Sequence, residues 1–321
     1  MILSGWNVRL TIAVVTMVLG AVRPQTAWSQ PASRTPVAWG LYQIYWGGKT
    51  YGDRLDREIT NLASVPDYVL FFRDLSCPFP KAAMDQLHRR GVTPLVSLEL
   101  THWHQRGERF LGEIVGGAYD DHFRRWAADA KADGRRVLLR FGFEFNGNWV
   151  GWSGDAKAFR TAWRRVHGIF REAGADNVEW VWAPNHVSVP SSPDYEIHRY
   201  YPGHDVVDWV ALDGYNWGEK HDQWHHWESF DSVFARQLDE FAHRYPNKPV
   251  MISEFGCVPG DPGRKAEWIR EAYRAVLARP SIKAVVWFNY DKRREGEHNW
   301  RLDSSPDALR AFNETFASPG R

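Results

Sequence analysis

The chain has 321 residues with 40 basic and 39 acidic side chains, so its formal net charge is +1. A balance this even offers no strongly basic surface, and we expect no nucleic-acid partner. The length suits one large domain, because α/β barrels of about 250 residues fold as single units.

The first 29 residues have the layout of a secretory signal peptide. Arg9 precedes an almost wholly apolar run from Thr11 to Val22, and Ala27-Trp28-Ser29 places small residues at positions −3 and −1 of a cleavage site. The apolar run is shorter than the roughly 20 residues that cross a bilayer, which argues against an uncleaved anchor. We predict a signal peptide over 1–29 and a secreted or periplasmic, monomeric chain over 30–321 with no membrane span.

After about Pro36, short apolar runs alternate with longer helical patterns. Their continuous hydrophobicity favours strands that are buried on both faces, as in a parallel sheet. The predicted strands are Ala38–Ile44, Tyr68–Phe72, Thr93–Leu98, Val137–Phe143, Val178–Ala183, Val207–Leu212, Pro249–Ser253 and Lys283–Phe288.

The clearest helical pattern covers Asp155–Glu172, with Asp155 as N-cap and Gly174 as the stop. A last helix is predicted to begin at Pro306 and to bury Leu309, Phe312 and Phe316. Eight strands that alternate with helices predict a single-domain (β/α)₈ TIM barrel of the α/β class. The alternative is an open doubly wound sheet, whose usual Gly-rich phosphate turn is not present in the sequence.

Glutamates directly follow two of the predicted strands. Glu144 comes after the fourth strand and Glu254 after the seventh, at the end of a barrel where active sites lie. Either carboxylate alone could be neutralised by a cation such as Arg140, but the two together favour catalysis. A pair about 5–5.5 Å apart, one protonated and one ionised, hydrolyses glycosidic bonds with retention.

Aromatic residues are abundant, with 18 Trp, 12 Tyr and 17 Phe. Most of them can fill a core, but aromatic faces also stack on the apolar faces of sugars. Tryptophans in turn-like contexts are Trp46, Trp103, Trp149, Trp152, Trp217, Trp224, Trp227 and Trp300.

Four segments resemble glycoside hydrolase family 26. They occur in the family's order and cover most of residues 137–256. The first is similar to the family pattern R-x-x-H-E-x-N-G-x-W. The segments are Arg140-Phe-Gly-Phe-Glu144-Phe-Asn146-Gly147-Asn-Trp149, then 159–185 ending in Trp182-Ala-Pro184-Asn185, then 200–217 ending in Asp213-Gly214-Tyr215-Asn216-Trp217, and Lys248-Pro249-Val-Met-Ile-Ser-Glu254-Phe-Gly256.

The resemblance implies a retaining, endo-acting hydrolase of β-linked polysaccharides that needs no cofactor and no metal. Glu144 matches the family's acid/base, Glu254 its nucleophile, and Tyr215 the tyrosine that bonds to the nucleophile. Trp287, at the end of strand eight, matches a floor for the sugar at the cleavage site, with a core tryptophan as the alternative. The remaining expected substrate-binding residues are Trp149, Trp217, Trp103, Asn146 and Arg140.

One position departs from the family pattern. Phe143 stands where the family has a sugar-binding histidine, and its ring cannot donate a hydrogen bond. Mannan, the common family substrate, therefore does not follow from the resemblance. Two alternatives remain open, a carbohydrate-binding protein on a degenerate barrel and a transglycosylase that uses the same residues.

Two smaller features are left open by the sequence. His221 and His225 are four residues apart and could hold a metal on one helical face, but a polar loop over the cleft explains them better. Cys77 and Cys257 could pair in an oxidising compartment, although they belong to strands far apart in order.

Overall fold

The computed structural model describes residues 37–44, 51–105, 108–219 and 225–318. The predicted signal peptide, Trp46, Trp224 and His221 lie outside the described residues. Eight parallel strands close into a barrel in sequence order, with β8 paired to β1, which confirms the predicted barrel. The strands are β1 (Ala38–Tyr42), β2 (Tyr68–Asp74), β3 (Thr93–Glu99), β4 (Val137–Phe141), β5 (Val178–Trp182), β6 (Trp209–Asn216), β7 (Val250–Cys257) and β8 (Ile282–Trp287).

Helices on the outside of the barrel link the strands. Within the described residues, none of them is both long and apolar enough to cross a bilayer. The helices are α1 (Tyr51–Glu58), α2 (Lys81–His88), α3 (Leu111–Gly116), α4 (Asp120–Asp133), α5 (Ala156–Ala173), α6 (Phe230–Arg244), α7 (Arg264–Leu277) and α8 (Pro306–Glu314).

The two helices predicted from capping signals form where expected. The Asp155 carboxylate accepts a hydrogen bond from a backbone N–H of the first turn of α5, and Gly174 ends that helix with a φ of 74°. α8 begins at Pro306 and buries Phe312. The prediction was wrong for Leu309, which is half-buried.

Every strand has at least one end that differs from the prediction, and the differences in three strands affect the candidate site. β4 stops at Phe141 because Gly142 and Glu144 take positive φ angles of 56° and 48° and turn the chain. β6 and β7 continue further than predicted, so Tyr215 and Glu254 lie inside strands instead of after them.

A bulge between β6 and β7 brings polar side chains to the inside of the barrel. Leu212 pairs with Ile252, but the next pair is Asp213 with Glu254, so Ser253 is the extra residue. An extra residue changes the alternation of side chains along a strand. Ser253 and Glu254 can therefore both reach the barrel interior.

Both cysteines are buried and unpaired. Cys257 ends β7, and Cys77 follows β2.

Candidate active site

Glu144 lies in the turn after β4. Its backbone N–H donates to the Ala183 carbonyl over 2.8 Å, which ties the turn to the end of β5. Two N–H groups hold its carboxylate. Asn185 Nδ2 donates to Oε1 over 2.8 Å, and the indole of Trp149 donates to Oε2 over 2.7 Å. The left-handed backbone of a non-glycine residue is costly and here holds a half-buried carboxylate.

Asn146 fixes the loop that carries Asn185. Its side-chain oxygen accepts the Asn185 N–H over 2.8 Å, and its Nδ2 donates to the carbonyls of Asn185 and Val187 over 2.9 and 3.0 Å. The side chain is completely buried. The expectation that Asn146 binds substrate was therefore wrong, because every polar atom of its amide is already engaged inside the protein.

Glu254 lies in β7 and is only 5% exposed. The Arg140 guanidinium bonds to its Oε1, and the Tyr215 hydroxyl donates to its Oε2 over 2.6 Å. The tyrosine contact is the one that the family resemblance implies. Each oxygen of this carboxylate therefore has its own donor.

Arg140 lies at the centre of a buried network. Its Nε donates to Ser97 Oγ over 2.6 Å, and its Nη1 lies 2.9 and 2.7 Å from the two oxygens of Asp213. Ser253 Oγ donates to Asp213 over 2.6 Å. The guanidinium is fully buried and bonds also to Glu254. Arg140 was expected to bind substrate; the structure contradicts this, because its donors are directed at the protein.

The surroundings of the two glutamates differ. Burial and the charge of Glu254 raise the pKa of Glu144, while the bonds from Asn185 and Trp149 and the charge of Arg140 oppose that rise. Burial also raises the pKa of Tyr215, which the charge of Glu254 raises further, so the phenol stays protonated. The environment of Glu144 thus favours a carboxyl that keeps its proton to a higher pH.

Asp213 is a third carboxyl in this cluster. It is fully buried. Burial raises its pKa well above the usual range, and the charges of Glu254 and Glu144 add to this, whereas Arg140 and Ser253 lower it. The network therefore gathers three acidic side chains around one guanidinium.

Exposed tryptophans flank this cluster. Trp149 is 49% and Trp103 is 38% exposed, and each donates its indole N–H to a carboxylate, Glu144 and Glu99 respectively. Trp217 is half-buried and packs edge-on against Trp300 at 4.9 Å. The faces of Trp149 and Trp103 are partly free to contact a ligand.

Trp287 does not face the cleft. It is completely buried against Trp268 of α7 and Phe312 of α8, with ring centroids 6.1 and 6.0 Å away. Neighbouring side chains of a strand point to opposite faces. Phe288, the next residue, packs edge-on against Tyr215 at 5.7 Å. The expectation of a sugar floor at Trp287 was wrong, and the aromatic ring next to Tyr215 belongs to Phe288.

Phe143 lies over the buried guanidinium. The Arg140 Cζ is 4.3 Å from its ring centroid, and the Phe72 ring lies 5.2 Å from the Phe143 ring and 5.8 Å from the same Cζ. Phe143 is 8% exposed, and its carbonyl accepts the Trp152 indole N–H over 2.7 Å. The residue before Glu144 is therefore an apolar cover and offers no side-chain donor.

The sequence reasoning missed Asn185 and Asp213. Each directly follows an apolar run at a strand end or within a strand, the same signal that identified the two glutamates. Ser97 and Ser253 carried no such signal, because a serine within a strand is unremarkable.

No three His, Cys, Asp or Glu side chains come close enough to hold a metal ion in the part of the chain that the structure describes. Of the two histidines considered for a metal, His225 is described and lies 5.5 Å from the Trp217 ring.

Several known proteins are similar to this chain in sequence or in fold. The family model "Glycosyl hydrolase family 26" matches residues 116–256. "Endoglucanase H" of Acetivibrio thermocellus is 37% identical over 214 residues, which are 64% of this chain and 23% of that protein. "Mannan endo-1,4-beta-mannosidase A and B" of Caldalkalibacillus mannanilyticus is 33% identical over 137 residues, 35% of this chain and 25% of that protein. The alignments thus span about a quarter of these relatives.

Solved structures show the same fold at low sequence identity. The Bacillus subtilis mannanase BCman aligns with a TM-score of 0.62 at 16% identity, over 87% of this chain and 85% of that chain. The catalytic domain of the Bacillus sp. JAMB-750 GH26 endo-β-1,4-mannanase aligns with a TM-score of 0.63 at 17% identity, over 90% and 88%. These likenesses show the barrel fold, and residues 116–256 are similar to the glycosyl hydrolase family 26 model.

Proposed function

We propose that the protein is a retaining glycoside hydrolase that acts within a β-linked polysaccharide, with Glu254 as nucleophile and Glu144 as acid/base. The observation that carries the proposal is the contrast between the two carboxylates. Glu254 bonds to a guanidinium and a phenol, whereas Glu144 bonds only to neutral N–H groups and has a raised pKa. Paired carboxyls whose surroundings differ are the basis of acid/base assignment in such enzymes.

In the first step, Glu254 attacks the anomeric carbon while the Glu144 proton passes to the oxygen of the leaving sugar. The glycosyl–Glu254 ester is then attacked by water, whose proton Glu144 takes up. Tyr215 and Arg140 hold the Glu254 carboxylate in place. Asn185 and Trp149 orient Glu144.

The exposed faces of Trp149 and Trp103 fit sugar rings outside the cleavage site, with Trp217 as a further contact. Trp149 bonds to the acid/base, so we place the leaving sugar on its face. The names of the relatives refer to glucan, mannan and xylan. The proposal is therefore a β-linked glycan, with β-mannan and bacterial exopolysaccharide among the substrates to test. Secretion or a periplasmic location remains a prediction from residues 1–29.

The test is release of reducing ends by residues 30–321 on β-mannans, β-glucans, β-xylans and bacterial exopolysaccharides. Glu254→Ala should remove turnover, and azide should restore it by forming a glycosyl azide of inverted configuration. Glu179→Ala is the matched control, because that carboxylate also lies on a barrel strand but bonds to Arg136 and Trp209. Turnover of Glu254→Ala within tenfold of wild type would exclude Glu254 as the nucleophile.

Glu144→Ala should lose the least hydrolytic activity on aryl glycosides whose leaving groups need no proton. An equal loss on good and poor leaving groups would contradict its acid role. Glycan binding without turnover by the wild-type chain would favour a carbohydrate-binding protein, and transfer to an added sugar in preference to water would favour a transglycosylase.

A further inference from the structure

One wall of the candidate site is made of aromatic rings. This aromatic wall consists of Tyr42 on β1, Phe72 on β2, Phe143 after β4 and Phe288 after β8. Tyr42 stacks on Phe288 at 4.7 Å with 8° between the planes, and its ring lies 5.3 Å from that of Phe72. Phe72 lies 5.2 Å from Phe143. The wall is continuous, and the Tyr42 hydroxyl is the one polar side-chain group among its four residues.

The aromatic wall meets the candidate nucleophile. Phe288 packs edge-on against Tyr215 at 5.7 Å, and Tyr215 donates to Glu254. Burial raises the pKa of Tyr42 most, followed by the charge of Glu254 and then by Tyr290, Glu295 and Glu99. Through Phe288, the Tyr42 ring is one aromatic residue away from Tyr215, which bonds to the candidate nucleophile.

The Tyr42 hydroxyl is available for a ligand. No described residue forms a hydrogen bond with it, whereas the Tyr215 and Tyr290 hydroxyls donate to Glu254 and Glu295 over 2.6 and 2.7 Å. Its oxygen is also absent from the buried side-chain atoms that lack a partner, so it reaches solvent. A donor of this kind at the edge of an otherwise apolar wall has to be satisfied by water or by substrate.

We propose that Tyr42 donates a hydrogen bond to a hydroxyl of the sugar held beside Glu254, and so determines which sugar the site accepts. The proposal rests on the proposed glycoside hydrolase activity. Phe143 cannot make such a bond, and hydrogen bonds to a sugar hydroxyl that strengthen in the transition state contribute to glycoside hydrolysis. A site built around such a bond discriminates strongly against a sugar that cannot form it.

The Tyr42 hydroxyl can act as a hydrogen-bond donor because it stays protonated. Burial and the negative charge of Glu254 both raise the pKa of Tyr42, so the group keeps its proton. Stacking on Phe288 fixes the ring, and the bond can therefore form without further ordering of the side chain.

The test uses Tyr42→Phe, which removes one oxygen and keeps the stacked ring. The substrates are aryl β-glycosides of the glycan that the panel identifies, together with analogues in which each hydroxyl of the reacting sugar is replaced in turn by hydrogen. On the parent glycoside, kcat/KM should fall about 10- to 100-fold. On the one analogue that lacks the contacted hydroxyl, wild type and Tyr42→Phe should have equal rates.

Tyr290→Phe is the matched control, because that ring contacts Tyr42 at 5.9 Å but its hydroxyl is bonded to Glu295. It should stay within twofold of wild type on every substrate. Parent activity of Tyr42→Phe within twofold of wild type, or the same loss on every analogue, would overturn the proposal. The wild-type rate on the parent tests the hydrolase activity separately, so failure of that activity cannot be mistaken for failure of the Tyr42 contact.

Discussion

The indole of Trp149 donates its N–H to Glu144 Oε2 over 2.7 Å, so one side chain both contacts the candidate acid/base and presents a half-exposed ring to the cleft. The ring lies over the backbone of Gly147, where an added Cβ would be 2.2 Å from the indole. The lack of a side chain at Gly147 therefore lets the indole lie against the backbone of the loop. In the proposed mechanism, Trp149 therefore couples the acidity of Glu144 to binding of the leaving sugar.

We expect Trp149→Phe to raise the pKa of Glu144, because the indole bond stabilises the carboxylate and opposes the rise caused by burial and by Glu254. The protonated form then persists to higher pH, and the basic limb of the kcat/KM profile should move up by about one pH unit. Trp103→Phe is the control, since its N–H donates to Glu99. A basic limb that stays in place in Trp149→Phe would show that the bond does not tune Glu144.

Asp213→Asn tests the buried ion pair. Arg140 and Asp213 are both completely buried, and their closest contact is 2.7 Å. Removing one charge of such a pair leaves the other without full compensation, so the free energy of unfolding should fall by about 3–5 kcal/mol. Urea unfolding measures this. Ser253→Ala removes only the hydroxyl that donates to Asp213 and should cost about 1 kcal/mol. Equal losses in the two variants would contradict a charge-based role.

Lys265 should make stability depend on pH. Its Nζ is buried and donates to the carbonyls of Arg301 and Trp300 over 2.8 and 3.3 Å, and burial lowers its pKa to about 7. An unfolded lysine keeps its proton to about pH 10.4. Between these values the unfolded chain binds one more proton, so stability rises with pH by up to about 1.4 kcal/mol per unit.

Lys265→Met should remove that part of the slope. The measurement is urea unfolding at pH 7, 8 and 9, with Lys283→Met as the control because Lys283 is an exposed lysine on β8. A slope that is the same in Lys265→Met and wild type would show that the buried amine keeps its proton from pH 7 to pH 9, as it does in the unfolded chain.

The barrel could be predicted because each strand is a short, continuous apolar run with helical patterns between the runs. The placement of Glu144 and Glu254 followed from the same pattern, since both come where an apolar run ends. Strand ends were less predictable, because the turn at Gly142 and the bulge at Ser253 depend on backbone angles and pairing that composition does not reveal.

The roles of individual side chains were harder to predict than their places. Trp287 and Phe288 are adjacent aromatic residues, and only strand alternation decides that Phe288, not Trp287, lies beside Tyr215. Arg140 and Asn146 belong to the motif around Glu144, but both are fully buried and brace other residues. Motif membership indicates nearness to the site, whereas contact with a ligand depends on packing.

The reactivity of the two unpaired cysteines can report local unfolding of the structure around them. A thiol reacts as its thiolate, and burial raises the pKa of the Cys257 thiol to about 12 and also raises that of Cys77. Alkylation therefore has to wait until the surrounding structure opens. Because Cys257 ends β7 and Cys77 follows β2, their labelling rates would follow the loosening of two separate parts of the barrel wall without any added probe.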